Sequence, residues 1–528
     1  MNCRKPPPGK FSASSSVLEG ERFGRRRPPP RWRRCWTLAL TLGLASAGAA
    51  RENLPTPLEA ANFSRISSSA EITRYLQQLG ASSALAHLEV LGFSVQGRPL
   101  EALVLGARQG APRLKILLIG SQHGAAEPAG GEALLQLGRE LLSGPWQARL
   151  AHTQIILLPN ANPDGRDLKR RANAHGINLN TNFVLANEPE TLVLKQALRR
   201  YAPDVVLDSH ESAIFKPKTL AREGYLTDFQ AQFEVANHPA MPATMQAYQR
   251  ELLTQWLAQV RGQQLAASHY LSEITSIHQP LTHGGLTMRN FRNAAGMTGA
   301  LSFLLETRLD PPSGSYPTYR NIAARVAKQM ICLREFLALI HAHRAEIPRR
   351  VAAHRAAFQN ARVVLFARYV VAPEHPQTSV PLRRIDTGER VVVAFSDHRQ
   401  IALADTITRP RGYVVTAHTR ELGELLGRHG IEYAALGARR ALAVVASHFE
   451  VAPAASGRAR LTRARAKTIS APSGALTIDL SQANGRLAVV LLDPRSASSV
   501  FRTPPGADWV RPEQEFFVYA MVDHAAKS

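Results

Sequence analysis

Cysteine is scarce: the 528 residues hold three, Cys3, Cys35 and Cys332. Cys3 and Cys35 fall in or before an N-terminal leader, so a processed chain keeps Cys332 alone and an internal disulfide is excluded. Cys332 lies in the helix-patterned run VAKQMICLREFLALI and reads as a core residue. Long apolar runs are missing as well. Beyond residue 50 no stretch approaches the ~20 residues that a membrane helix needs. There is no internal repeat, and no segment resembles a nucleic-acid-binding module, so the positive charge of the chain is not assigned to nucleic acid.

That charge is large, +23, and unevenly placed. Residues 1–34 carry ten Lys/Arg against Glu19 and Glu21, and the apolar run CWTLALTLGLASAGAA follows from Cys35 to Ala50. A basic start, a short apolar stretch and a small-residue end read as a cleaved secretory signal, with an uncleaved anchor as the alternative. The chain is therefore expected to be exported, periplasmic or secreted, with no stable membrane span after cleavage. A second basic run, GRARLTRARAK (Gly457–Lys467), reads as a solvated face or loop. Its alternative is attraction to an anionic polymer or membrane surface.

From residue 55 onward, continuous apolar runs alternate with helical leucine spacing. LKILLIG (Leu114–Gly120), TQIILLPN (Thr153–Asn160), DVVLDSH (Asp204–His210) and GALSFLLE (Gly299–Glu306) read as buried strands. GGEALLQLGRELL and PETLVLKQALRRY read as the helices between them. This alternation predicts an α/β fold with a mixed, mainly parallel central sheet flanked by helices. Past residue 362 the texture becomes strand-rich. The expected organisation is a signal and extension at 1–50, an α/β domain at 55–347, a connecting helix at 348–361 and a smaller β-rich C-terminal domain at 362–528.

Parallel sheets collect ligands at the carboxyl ends of their strands. There the sequence puts His123, NPDG (Asn162–Gly165), His210 and Glu306, with Glu127 a few residues beyond His123. Two histidines and a glutamate with an open fourth position are the donor set of a hydrolytic zinc centre, which activates water. Such chemistry also needs a carboxylate that moves protons, for which Glu306 is the candidate, and a cation for the developing oxyanion. The loop KRRANAHGINLN supplies Arg171 and Asn180. Asp164 reads as a turn residue, and His341 and His343, two apart on a helix, point to different faces and make a poor metal pair.

In order along the chain, GSQHGAAEPAGGEALL, LPNANPDG, RANAHGINLNTNF, DVVLDSHES and SFLLETR resemble the motif series of the zinc metallocarboxypeptidase family, the carboxypeptidase A-like enzymes. The similarity runs from about Leu88 to about residue 345, and the C-terminal region looks like the appended region of some exported bacterial members. The resemblance implies a single zinc held by His123, Glu127 and His210. It implies Glu306 as general base and acid, Arg171 at the oxyanion and Asn180 at the substrate's terminal carboxylate. The substrate implied is a peptide, including a cell-wall peptide in an envelope setting. Two positions depart from the family pattern. Three residues separate His123 from Glu127 where the family has two, and Thr181 follows Asn180 where the family has arginine. Arg289 and Arg292 are the arginines that could replace it. Two other readings remain open: a zinc deacylase or amidase of the aspartoacylase type, and an inactive relative that binds peptide or glycan.

Overall fold

Four of the apolar runs form adjacent strands of one sheet. The structure, a computed structural model, describes residues 54–522 apart from 107–113, 217, 310–320, 360–361, 452–458 and 513. The expected leader, with Cys3 and Cys35, lies outside the described residues. The central sheet contains β1 (Ala86–Phe93), β2 (Pro99–Leu105), β3 (Leu114–Gly120), β4 (Thr153–Leu158) and β5 (Val205–Ala213). After β6 (Tyr225–Thr227), which lies elsewhere, it is completed by β7 (Ala231–Val235), β8 (Ala267–His269) and β9 (Leu301–Leu309). The spatial order is β1-β2-β4-β3-β5-β9-β7-β8. The centre, β4-β3-β5-β9, is parallel throughout, β1 and β2 pair antiparallel with their neighbours, and β7 pairs antiparallel with β9 but parallel with β8. Ile116–Ile119 and Val205–Leu207 are almost fully buried, as strands covered on both faces must be.

Helices close the crossovers: α1 (Ala129–Leu141) between β3 and β4, α2 (Pro189–Tyr201) before β5, and α3 (Ala243–Gly262) between β7 and β8. A short helix α4 (Phe291–Gly296) precedes β9, and α5 (Ile322–Ala342) packs back over the sheet. Cys332 is buried on α5, in the core position expected for it. The helix that follows, α6 (Ile347–Ala357), has Pro348 in its first turn, where the missing N–H leaves no bond unmade.

Beyond it, β10 (Arg362–Val370) pairs with β13 (Gln400–Thr408), and β11 (Gln377–Arg384) lies between β12 (Arg390–Ser396) and β6. A six-stranded sheet from Gly412 to Met521 flanks α7 (Thr419–Arg428). Contacts cross the 348–361 segment freely. Val363, Leu365, Leu422 and Val490 share one apolar cluster with Leu117, Trp256 and Phe303, and β6 joins β11 backbone to backbone. His238 Nε2 lies 3.0 Å from Ser498 Oγ. Among the described residues no helix is long and apolar enough to cross a membrane.

The start of α1 is pressed against the strand ends. A Cβ on Gly131 would run into the Pro159 carbonyl oxygen and Ser121 Oγ, so the helix reaches this position only without a side chain there. Gly131→Ala is expected to lower the urea midpoint by the equivalent of about 1–3 kcal/mol through overpacking. Gly262→Ala, where a Cβ meets nothing within 4 Å, is expected to leave the midpoint unchanged or slightly higher.

Candidate metal centre

His123 follows β3, Glu127 lies just before α1 and His210 is carried on β5. Spacing i,i+4 would suit a helix face, but Pro128 disfavours helical backbone at the residue before it. Instead Gly124–Ala126 form a single 3-10 turn, with Gly124 at φ +51° and Glu127 in non-helical backbone at φ −136°, ψ 66°. The turn takes up the extra residue. A Cβ on Gly124 would strike the Gly165–Arg166 backbone, so both the turn and its close packing require glycine.

The result is a buried trio. His123 Nδ1 lies 2.7 Å from Glu127 Oε2, His210 Nδ1 lies 2.8 Å from the same oxygen, and the two Nδ1 atoms are 3.2 Å apart. None of the three side chains is more than 5% exposed. Each imidazole is oriented from behind. His210 Nε2 is 2.8 Å from Asp208 Oδ2, which also accepts 2.9 Å from Gln122 Nε2, and His123 Nε2 is 3.1 Å from Asn178 Oδ1. With each Nε2–H donated outward, both Nδ1 lone pairs face the carboxylate. Two imidazoles and one carboxylate on one point suit zinc, and carboxylate–histidine support is the usual outer shell of such sites. Burial alone would lower the His210 pKa, but Asp208 and Glu127 outweigh it and hold it well above the ordinary value.

Glu306 stands beside the trio, in register with His210 across the β5–β9 pair. Its Oε2 accepts 2.9 Å from Ser212 Oγ. Burial, and after it the charge of Glu127, push its carboxyl up to about 7 against the pull of His210. Arg171, half exposed, pairs through Nη1 with Glu127 Oε1; its Nη2 lies 3.1 Å from His123 Nε2, which as the N–H donor to Asn178 accepts nothing from it. Asn180 Nδ2 is 3.4 Å from His210 Nε2, while its Oδ1 accepts 2.8 Å from the Phe291 N–H at the start of α4. All six residues singled out in the sequence therefore meet in one place.

The surroundings hold residues to which the sequence reading assigned no role. Asp208 is signalled by its position two before His210, which puts both on one face of a strand. Tyr270 follows β8, and burial together with the nearby charges of Glu306 and Glu234 keeps its phenol protonated. Arg292 does not reach the centre. It is 4% exposed, ion-paired to Glu234 and bonded at 3.1 Å to Asn237 Oδ1, which removes it as a stand-in for the arginine missing at Thr181. The Thr181 hydroxyl itself donates 2.8 Å to the Asn178 carbonyl. Asp164 is fully buried away from the trio, accepting from Ser94 Oγ at 2.7 Å and Arg98 Nη1 at 2.7 Å. His283 donates from Nδ1 to the Tyr270 carbonyl at 2.8 Å.

Fold and trio together place the chain in the class of α/β proteins that gather a metal-type donor set at the carboxyl ends of parallel strands. Residues 72–271 match the family described as zinc carboxypeptidase, and the chain carries a zinc carboxypeptidase domain. It is 23% identical to carboxypeptidase 2 of Trichophyton equinum over 453 residues, which cover 80% of this chain and 81% of that protein. A shorter segment of 108 residues is 37% identical to carboxypeptidase D of Mus musculus, covering 16% of this chain and 8% of that one. Among solved structures, the carboxypeptidase A of Helicoverpa armigera overlaps 59% of this chain and 81% of its own at TM-score 0.42 and 16% identity. Five of the six residues lie within the matched segment, and Glu306 lies beyond it.

Replacing the carboxylate behind His210 tests the outer support. Asp208→Asn is expected to weaken zinc affinity about 10- to 100-fold, read by competition with a chromophoric chelator, whereas His210→Ala removes stoichiometric binding.

Proposed function

We propose that this chain is a zinc-dependent peptidase of the carboxypeptidase type, holding one zinc through His123, Glu127 and His210. The observation that carries the reading is the convergence of their three donor atoms within 4.8 Å, with Glu306 alongside on the neighbouring strand. Zinc held there would polarise a substrate carbonyl and lower the pKa of a water. The protein's own groups supply the rest. Glu306, with its pKa lifted toward neutrality, takes a proton from the attacking water and returns it to the leaving nitrogen. Arg171, half exposed beside the trio, is the cation for the developing oxyanion. Asn180 offers its amide N–H₂ beside His210 to the substrate, since its oxygen is already bonded to α4.

The substrate is a peptide; a cell-wall peptide is a narrower form of that reading and rests on export alone. Export rests in turn on the basic leader and the apolar run Cys35–Ala50. The relatives matched over most of the chain are fungal and lend no weight to a bacterial source. A second reading is a deacylase of N-acyl amino acids, which would use the same trio. Arg292 is sequestered by Glu234 and the Thr181 hydroxyl is tied to Asn178, so neither grips the free carboxylate that the substrates of both readings carry.

Glu306→Gln is expected to cut kcat about 10²- to 10⁴-fold while leaving bound zinc unchanged. A variant that turns over normally would sink the proposal. Glu306 must be ionised to act as base, so kcat/KM should rise with pH. The acid limb should lie above the ordinary carboxylate range and at or below about 7, because a neighbouring dication favours the ionised form. Comparing peptides with N-acyl amino acids in the same assay separates the two readings: release of single C-terminal residues supports the first.

A further inference from the structure

A cavity of about 1000 Å³ opens where β7 and α3 meet the β10–β13 ribbon. None of His123, Glu127, His210 and Glu306 lines it, so it is distinct from the metal centre. Its size is at the upper end of what small-molecule sites use. Phe233, Val235, Met241, Leu253 and Leu403 give it apolar walls.

The charges on its lining do not balance. Two lining residues are acids, and both are spoken for. Glu234 is ion-paired to Arg292, and Asp397 accepts from Arg399 at 2.8 and 2.5 Å. Three further arginines line the cavity: Arg250 from α3, Arg362 at the start of β10, and Arg486. Arg486 donates to the carbonyls of Phe358 and Ala240 at 3.1 Å each, and Arg362 reaches the neutral Thr406 hydroxyl at 3.5 Å. Among the described residues, neither Arg250 nor Arg362 has an acidic partner. Burial lowers the pKa of Arg250, and Arg486 is brought down to about 10, which marks cations partly stripped of water. A guanidinium beside a low-dielectric wall presents a positive potential to the cavity, and its planar fork matches a carboxylate.

We propose that this cavity is a second ligand site, which takes a carboxylate-bearing organic molecule with an apolar body. Arg250 and Arg362 hold the acid, and the body lies against Phe233, Val235 and Leu403. The site is independent of the peptidase reading, because no metal-centre residue takes part.

Isothermal titration of the full chain with decanoate, and with neutral 1-decanol as control, tests it. Saturable binding of decanoate and none of decanol is expected, weakening at least tenfold in Arg250→Ala/Arg362→Ala. In the unsubstituted chain, raising NaCl from about 50 to about 500 mM should weaken it as well. Binding should survive removal of metal by a chelator, which separates this cavity from the trio. Absent decanoate binding, equal affinity for decanol, indifference to both salt and the double substitution, or loss on metal removal would each overturn the proposal.

Discussion

A single buried ion pair holds the candidate centre in shape. Glu211 follows His210 on β5 and is paired with Arg325 of α5, both side chains fully buried, at 2.7 and 2.8 Å. The same carboxylate accepts 2.9 Å from the Ala129 N–H at the start of α1, two residues past Glu127, and the Glu211 backbone N–H points at Glu127 Oε2 from 3.3 Å. Gln329, one turn further along α5, donates 2.8 Å to the His210 carbonyl and 2.8 Å to Thr307 Oγ1. Strand β5, strand β9 and the loop bearing Glu127 are thus tied to one helix. Breaking such a pair from one side leaves a charge buried without its partner, which costs about 3–5 kcal/mol.

The legible part of the fold was its parallel centre. Continuous apolar runs are what strands buried on both faces require, and β3, β4, β5 and β9 lie where those runs lie. The site was legible for the same reason, since the apolar runs lead into His123, His210 and Glu306, although β5 and β9 continue to Ala213 and Leu309 beyond the last two. Short edge strands gave no such signal. β8 spans Ala267–His269, too short for a period, and its pairing with β7 is non-local. Tyr270 and the Glu234–Arg292 pair depend on those strands, so their placement could not be read locally. Arg292 shows the cost: in sequence it is one arginine among polar neighbours, and only the fold supplies Glu234 to bury it against.

The C-terminal region is joined to the α/β part through several kinds of contact. It extends one core, adds strands beside β6, and supplies His429, whose Nδ1 lies 2.9 Å from the buried Lys195 ammonium of α2. It also forms one wall of the large cavity, through β10 and β13. A β-rich texture in sequence announced strands but not what they would cover, because covering is decided by side-chain packing between segments far apart in the chain.

The turn at Gly124–Ala126 bears on more than one metal ligand. A glycine in left-handed backbone followed by a tight helical turn can swallow a residue without lengthening the path from His123 to Glu127. The donor atoms then register with their partner on β5 although the count between them has changed. The tight turn, not the number of residues, sets the path between the two ligands, so the Glu127 carboxylate meets both imidazoles across a three-residue gap.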